Sequence, residues 1–427
     1  MAITDATLAA ELVSAGDWSV ISGDPKSRTG WMDDPWELDP IIHQVSRVRD
    51  NLRHPLVLVG MGGSSSTGAM VSRLAGLNLT VLDSSHPDTI DSVDPTKSTF
   101  IVSSKSGSTI ETICALADAM ARGLDPADVI VITDPGTGLE QFARSIGAHV
   151  FLGNPRTGGR FSATSAFGVV PAILAGADLS LFEIERPSES QLAAAFLQGV
   201  NDASATTYAL PGDPLEDFFA LWEEQLVAES TGKDGKGLLP VVGSSAGITA
   251  VSDIVSTHMR VVGQCWALGV DPFNQPNVEG AKANTLTFLS GTAPRPEAGG
   301  VREFLTRLDS ATAVAIEVFG PNSCAAEVAA LRSAIENLTN STVIAGIGPR
   351  FLHSTGQLLK GGPQPIVHLQ VRVTPQVAPR RISGRSYSFH DLITAQADGD
   401  LMALRSQGAT AVSLEVARVS DVVSRLG

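Results

Sequence analysis

The sequence predicts an α/β protein, two doubly wound parallel-sheet domains joined by a helical connection. Three observations carry this expectation. Short, continuous apolar runs rich in Val and Ile alternate with helical stretches, the pattern of strands covered on both faces by crossover helices. Several runs end in Gly- or Ser-rich turns that open a helix. The chain has 427 residues, 43% of them hydrophobic, which is long for one core and comfortable for two domains of the usual ~100–200 residues.

Taken in order, residues 1–45 read as a helical or extended lead-in, with Pro25, Pro35 and Pro40, the tryptophans Trp18, Trp31 and Trp36, and little periodicity. The first domain is expected over 46–185. Its strands are Leu56–Val59, Leu79–Leu82, Phe100–Val102, Val129–Ile132 and His149–Leu152, with helices opening after Gly60–Ser66 and Ser103–Thr109. A helical region from 162 to 230 follows, broken at Glu183–Ser190 and Pro211–Pro214. Residues 186–427 are expected to hold the helical connection and the second domain. Strands are read at Leu238–Val242, Thr312–Val318, Ser341–Gly346, Ile366–Val373 and Ala411–Val416, and helices near 246–268, 324–339 and 389–406. The two halves are laid out alike without a close sequence repeat.

Composition narrows the functions. The net charge is −15, from 45 acidic and 30 basic side chains with no block of like charges, which repels nucleic acid and anionic membranes and leaves room only for a local basic pocket. Five of the seven lysines (Lys105, Lys233, Lys236, Lys282 and Lys360) lie in or beside Gly- or Ser-bearing stretches. Cys114, Cys265 and Cys324 are odd in number and widely spaced, so they spell neither a disulfide framework nor a metal knuckle, and a reduced, cytoplasmic protein is expected. The opening Met-Ala-Ile-Thr-Asp lacks the basic and apolar regions of a secretory signal, and no apolar run approaches the ~20 residues of a membrane helix.

Six segments carry chemistry. Gly60–Ser66 joins a strand to a helix, where unpaired backbone N–H groups and the helix dipole attract an anion. It opens like a dinucleotide fingerprint, with Asp83 near the position of a ribose-binding acid, but Ser65 stands where the third glycine belongs. Ser103–Thr109 repeats the strand-to-helix turn with Lys105 among hydroxyls, which suits a phosphate monoester; Ser108 and Glu111 also spell a capping box. In Thr157–Ser162 an arginine, Arg160, follows two glycines at a helix start, where a guanidinium can face an oxyanion. Gln225 and Glu229 share a helix face that ends at Gly232. Asp271–Lys282 is a polar loop leading into a helix, and His353 opens a helix in Phe351–Pro363. Taken singly, each also fits a turn, a cap or a solvated helix face.

Together these segments resemble the phosphoglucose isomerase family, also called glucose-6-phosphate isomerase, of the sugar-isomerase (SIS) fold. The resemblance covers 50–370 and rests on G-x-G-G-S, S-K-S-x-S-T, G-G-R, Q-x-x-x-E-S-x-G-K, N-Q-x-x-V-E-x-x-K and L-H-S-x-G-Q. It is nearest to the isomerase part fused behind transaldolase in some bacterial bifunctional proteins. The resemblance implies two SIS-type domains and reversible conversion of D-glucose 6-phosphate to D-fructose 6-phosphate, in glycolysis and gluconeogenesis, without metal or cofactor. By position it makes Glu229 the base that moves a proton between C2 and C1, Arg160 the stabiliser of the enediolate, and Lys282 and His353 the ring-opening pair. Gly63, Ser64, Ser104, Lys105, Ser106 and Thr109 become the phosphate site, and Gln225 and Gln275 substrate contacts. A homodimer is implied, its sites near the subunit interface and the histidine often supplied by the neighbour. Two departures stand out. Lys282 precedes His353, the reverse of the commoner order, and Asn274 and Asn277 replace Asp and Gly. Other readings are an isomerase of a related phospho- or sulfo-sugar, a non-catalytic phosphosugar sensor of the same fold, and an NAD-dependent dehydrogenase.

Overall fold

The computed structural model describes residues 5–245, 247–308 and 311–426. The lead-in folds as α1 (Ala6–Ser14), 3-10 turns at Pro25–Ser27, Gly30–Met32 and Asp34–Trp36, and α2 (Asp39–Arg49). Then come β1 (Leu56–Gly60), α3 (Gly63–Leu74), β2 (Thr80–Leu82), α4 (Pro87–Asp91), β3 (Thr99–Ser103), α5 (Ile110–Ala121), β4 (Val129–Thr133), α6 (Gly138–Ser145), β5 (His149–Leu152) and α7 (Ala166–Leu174). The middle of the chain holds α8 (Glu189–Asp202), β6 (Thr207–Ala209), α9 (Phe218–Thr231), β7 (Leu239–Val241), α10 (Val251–Leu268), α11 (Glu279–Leu289) and α12 (Val301–Leu305). The last part runs β8 (Ala313–Phe319), α13 (Ala325–Glu336), β9 (Thr342–Gly348), α14 (Gly356–Gly361), β10 (Ile366–Val373), α15 (Phe389–Ser406), β11 (Thr410–Val416) and α16 (Ser420–Val423).

Two all-parallel sheets result, ordered β2-β1-β3-β4-β5 and β11-β10-β8-β9. Alternation along the strands explains the double cover. In the first sheet Leu58, Ile101, Ile130 and Ile132 pack with α3 and α7, while Val57, Val59, Phe100, Val102, Val129 and Val131 pack with α5 and α6. In the second, Val314, Ile316, Val318, Leu369 and Val371 face α13, and Ala313, Ala315 and Ile366 face α14 and α15. The expected α/β class with two doubly wound parallel sheets is therefore present.

Two local expectations are corrected. The 162–230 stretch contains a strand, β6, and the run at 238–242 forms no part of the second sheet; its β7 pairs only with β6, in parallel. Helices α8, α9 and α10 share one core with the first sheet, through Phe196, Trp222 and Met259. Among the described residues no helix is long and apolar enough to cross a membrane.

Sheet order also decides where a ligand can sit. Open parallel sheets bind ligands at the carboxyl ends of strands flanking the point where strand order reverses. In the second sheet that point lies between β8 and β10, and the segment around α4 covers it. His86 Nε2 donates to Val373 O at 3.2 Å, Thr89 Oγ1 accepts from Asn322 N at 3.0 Å, and Asp88 Oδ1 accepts from Gln376 N at 2.9 Å. Asp83, the residue that a dinucleotide would need at its ribose, lies buried in the same seam, accepting from Asn322 at 2.8 Å and pairing with Arg350 at 3.3 Å. The corresponding point of the first sheet lies between β1 and β3, whose carboxyl ends carry the two Gly/Ser loops.

Candidate active site

Both loops end in helices whose first turns lack a side-chain cap. Gly62, which has no side chain to offer, precedes α3 with φ +53°, and Thr109 precedes α5 without bonding its side chain to the helix. In α3 the Ser64 and Ser65 N–H groups bond to Met61 O at 3.2 Å and Gly62 O at 3.0 Å, and the positive ends of the two helix dipoles converge where an anion can sit. Gly62 is required on two counts: its φ is left-handed, and a Cβ there would come within 2.7 Å of His353 O. At Gly63 a Cβ would meet Gly159 O at 2.2 Å, so this glycine lets the G-G-R turn close over the first loop.

A cavity of about 360 Å³ opens at this point, lined by Gly63, Ser64, Lys105, Ser106, Thr109, Arg160, Gln225, Glu229, Gln275, Lys282 and His353. Ser104 is the exception among the predicted site residues. It is fully buried and donates to Thr109 Oγ1 at 3.0 Å, so it orients a neighbour's hydroxyl instead of lining the cavity. Lys105 is committed as well: its Nζ lies 2.7 Å from Asp134 Oδ2 and 2.8 Å from Asn154 O.

At the centre, Glu229 Oε1 lies 3.1 Å from Arg160 Nη1, and Glu229 Oε2 accepts from Gln225 Nε2 at 2.9 Å. The guanidinium is fixed on every side. It donates to Ser230 Oγ at 2.8 Å, Gln275 Oε1 at 3.2 Å, Pro272 O at 2.6 Å and Asn274 O at 3.1 Å. Gln225 ties the set together, donating to His353 O at 2.9 Å and accepting from Ser66 Oγ at 3.1 Å. Loops far apart in the chain are thereby held around one carboxylate and one guanidinium.

His353 Nε2 donates to Glu111 Oε1 at 2.8 Å, and Gln396 Nε2 donates to the same oxygen at 2.6 Å. Burial pushes the Glu111 carboxyl up, but the His353 charge and hydrogen bond, helped by Lys282, outweigh it and hold the group below the usual carboxylate range. Glu111 is thus a site residue that the sequence reading missed. The expected capping box does not form, because α5 begins at Ile110 and the glutamate turns to the histidine. His353 reaches this cavity from its own chain.

The other clustered lysines hold structure. Lys233 donates to Asp271 O and is pushed down to about 8 by burial and the nearby Arg160 charge; Lys236 donates to Leu268 O at 2.7 Å, at the carboxyl end of α10. Lys360 pairs with Asp400 at 2.6 Å, both side chains buried.

The lead-in buttresses the site. Asp34 accepts from Asn154 Nδ2 and Thr157 Oγ1, both at 2.7 Å, and so straps the segment that ends in Arg160. Burial pushes Asp34 up to about 6 against the pull of those bonds and of Lys105. A folded-state value above the ordinary 3.8 means that the native state binds more protons between about pH 4 and 6, so this group's contribution to stability falls as pH rises through that window. Asp34→Asn removes the titration; its Oδ1 can still accept from Asn154, and its Nδ2 can donate to the Thr157 hydroxyl in a reversed bond. Its stability relative to wild type is expected to rise between pH 4 and 7, by up to about 3 kcal/mol, in denaturant melts at several pH values; a pH-independent difference contradicts this.

No family model matches the chain. It is 33% identical over 217 residues to a glucose-6-phosphate isomerase of Thermus thermophilus, covering 47% of each chain. It is 32% identical over 243 residues to that of Rubrobacter xylanophilus, covering 48% of this chain and 56% of the relative. The chain spans about half the length of these curated relatives. Among solved structures, a hypothetical protein of Thermus thermophilus is 20% identical with a TM-score of 0.36, over 98% of this chain and 85% of that one. A glucose-6-phosphate isomerase of Chlamydia trachomatis is 15% identical with a TM-score of 0.27, over 92% and 66%.

Proposed function

We propose that the protein interconverts D-glucose 6-phosphate and D-fructose 6-phosphate through an enediolate. The observation that carries this reading is the Glu229–Arg160 pair, 3.1 Å apart, in one cavity with the starts of α3 and α5, neither of which has a side-chain cap. Aldose–ketose isomerisation needs a carboxylate to carry a proton between adjacent carbons, and a fixed cation to hold the oxyanion that forms. Glu229 is the base, and Arg160, locked by four protein acceptors besides Glu229, is the preorganised cation. His353, held by Glu111, and Lys282 are the groups for opening the sugar ring. Binding of the remote phosphate fixes the reacting carbons, so its binding energy is used at C1 and C2. A sensor would have no need of the carboxylate base.

The isomerase relatives, matched over about half their length, support the same activity. We read the two sheets as SIS-type domains of the fusion-type subgroup, in keeping with the Lys282-before-His353 order, and the molecule as a cytoplasmic homodimer. Its three cysteines are buried and free, as a reducing compartment allows. A coupled assay tests the activity. Fructose 6-phosphate is expected to turn over and unphosphorylated fructose is not. No turnover of any hexose phosphate favours the sensor.

A further inference from the structure

The charge at the phosphate end of the cavity does not add up from the residues assigned so far. Lys105 is neutralised by Asp134 and Arg160 by Glu229, which leaves helix dipoles and hydroxyls to face a phosphate monoester carrying about −1.5 to −2. The cavity wall contains one more guanidinium at this end. Arg28 follows the Pro25–Ser27 turn of the lead-in, is exposed, and lines the cavity together with Ser106, Thr109 and Asp134. Its guanidinium makes no hydrogen bond or salt bridge with any described residue. Its charge acts on both Lys105 and Asp134, placing it at the cradle, whereas the charge of Lys282 acts on Glu111 beside His353.

We propose that Arg28 is the cation that pairs with the charged end of the substrate, a tetrahedral phosphomonoester dianion, while Lys105 positions Asp134 and the Asn154 carbonyl. This rests on the phosphosugar reading above. An arginine fork can offer two parallel N–H donors to phosphate oxygens, and it can do so here without first breaking an ion pair. The lead-in then has a role in the site itself. It supplies the anion's partner through Arg28 and the strap on the Arg160 segment through Asp34.

The test measures binding of inorganic phosphate by calorimetry, and kcat and KM for fructose 6-phosphate, in wild type, Arg28→Ala and Arg28→Lys. Loss of one charge-assisted contact is expected to weaken phosphate binding and raise KM roughly 10- to 100-fold, with kcat nearly unchanged. Arg28→Lys should recover part of the affinity, and the KM of Arg28→Ala should depend less on salt. The melting temperature should not move, because the side chain is exposed. Unchanged phosphate affinity and KM in Arg28→Ala overturn the proposal, and so does a wild type that binds no phosphate. Arg28-dependent phosphate binding without turnover of any hexose phosphate would refute the isomerase reading and leave the Arg28 assignment standing.

Discussion

Replacing Glu229 by Gln is expected to lower kcat by about 10²–10⁴-fold while leaving the fold intact. The amide keeps the shape of the side chain, but its single acceptor oxygen serves Gln225 or Arg160 and not both, and it cannot take up a proton. Arg160 loses its charged partner and keeps Ser230, Gln275, Pro272 O and Asn274 O, so the guanidinium stays in place. The loss should therefore fall on kcat far more than on KM, the signature of an interaction made in the transition state. A variant within tenfold of wild type would remove Glu229 as the base.

The second large effect is expected at Trp31, which belongs to the lead-in and does not line the cavity. Its ring is fully buried, stacked on Phe161 at 5.7 Å and edge-on to Trp18 at 6.0 Å and His258 at 5.2 Å; Phe161 in turn meets Phe273 at 5.2 Å. Phe161 directly follows Arg160, and Phe273 directly precedes Asn274 and Gln275. One aromatic cluster thus sets both the guanidinium and the loop that supplies its acceptors. Trp31→Ala opens a cavity that the surrounding rings cannot fill, at a cost of about 3–5 kcal/mol. Because the cavity lies behind Arg160, kcat should fall as well, measured at a temperature where the variant is folded. Trp31→Phe should recover most of both. A loss below about 1 kcal/mol would mean that the lead-in does not support the site.

How much of this was legible in the chain follows from the range of each signal. The strands of both sheets could be placed because a strand covered on both faces is apolar at every position, and that record is local. The loops that converge on the cavity were visible because Gly62 and Gly63 meet geometric demands only glycine satisfies, and the hydroxyls beside them mark helix starts. Glu111 was misread because Ser108-x-x-Glu111 is a complete local capping signal. The competing partner, His353, lies 242 residues away in sequence and wins through a half-buried, charge-assisted bond. Lys105 was read as part of the phosphate site from its place among hydroxyls, but its pairing with Asp134 joins separate loops and has no sequence pattern. Arg28 stands in a segment without periodicity. β6 was hidden in the helical stretch because a strand of three residues is too short to show a period.

In the proposed reaction one cavity of this chain moves a proton between C2 and C1 of a hexose 6-phosphate. Nuclear magnetic resonance of fructose 6-phosphate incubated with the wild-type protein in D₂O tests it most directly. Formation of glucose 6-phosphate with deuterium appearing at C2, and its absence with Glu229→Gln, is the expected result. Neither conversion nor exchange, in a folded protein that still binds inorganic phosphate, would contradict it.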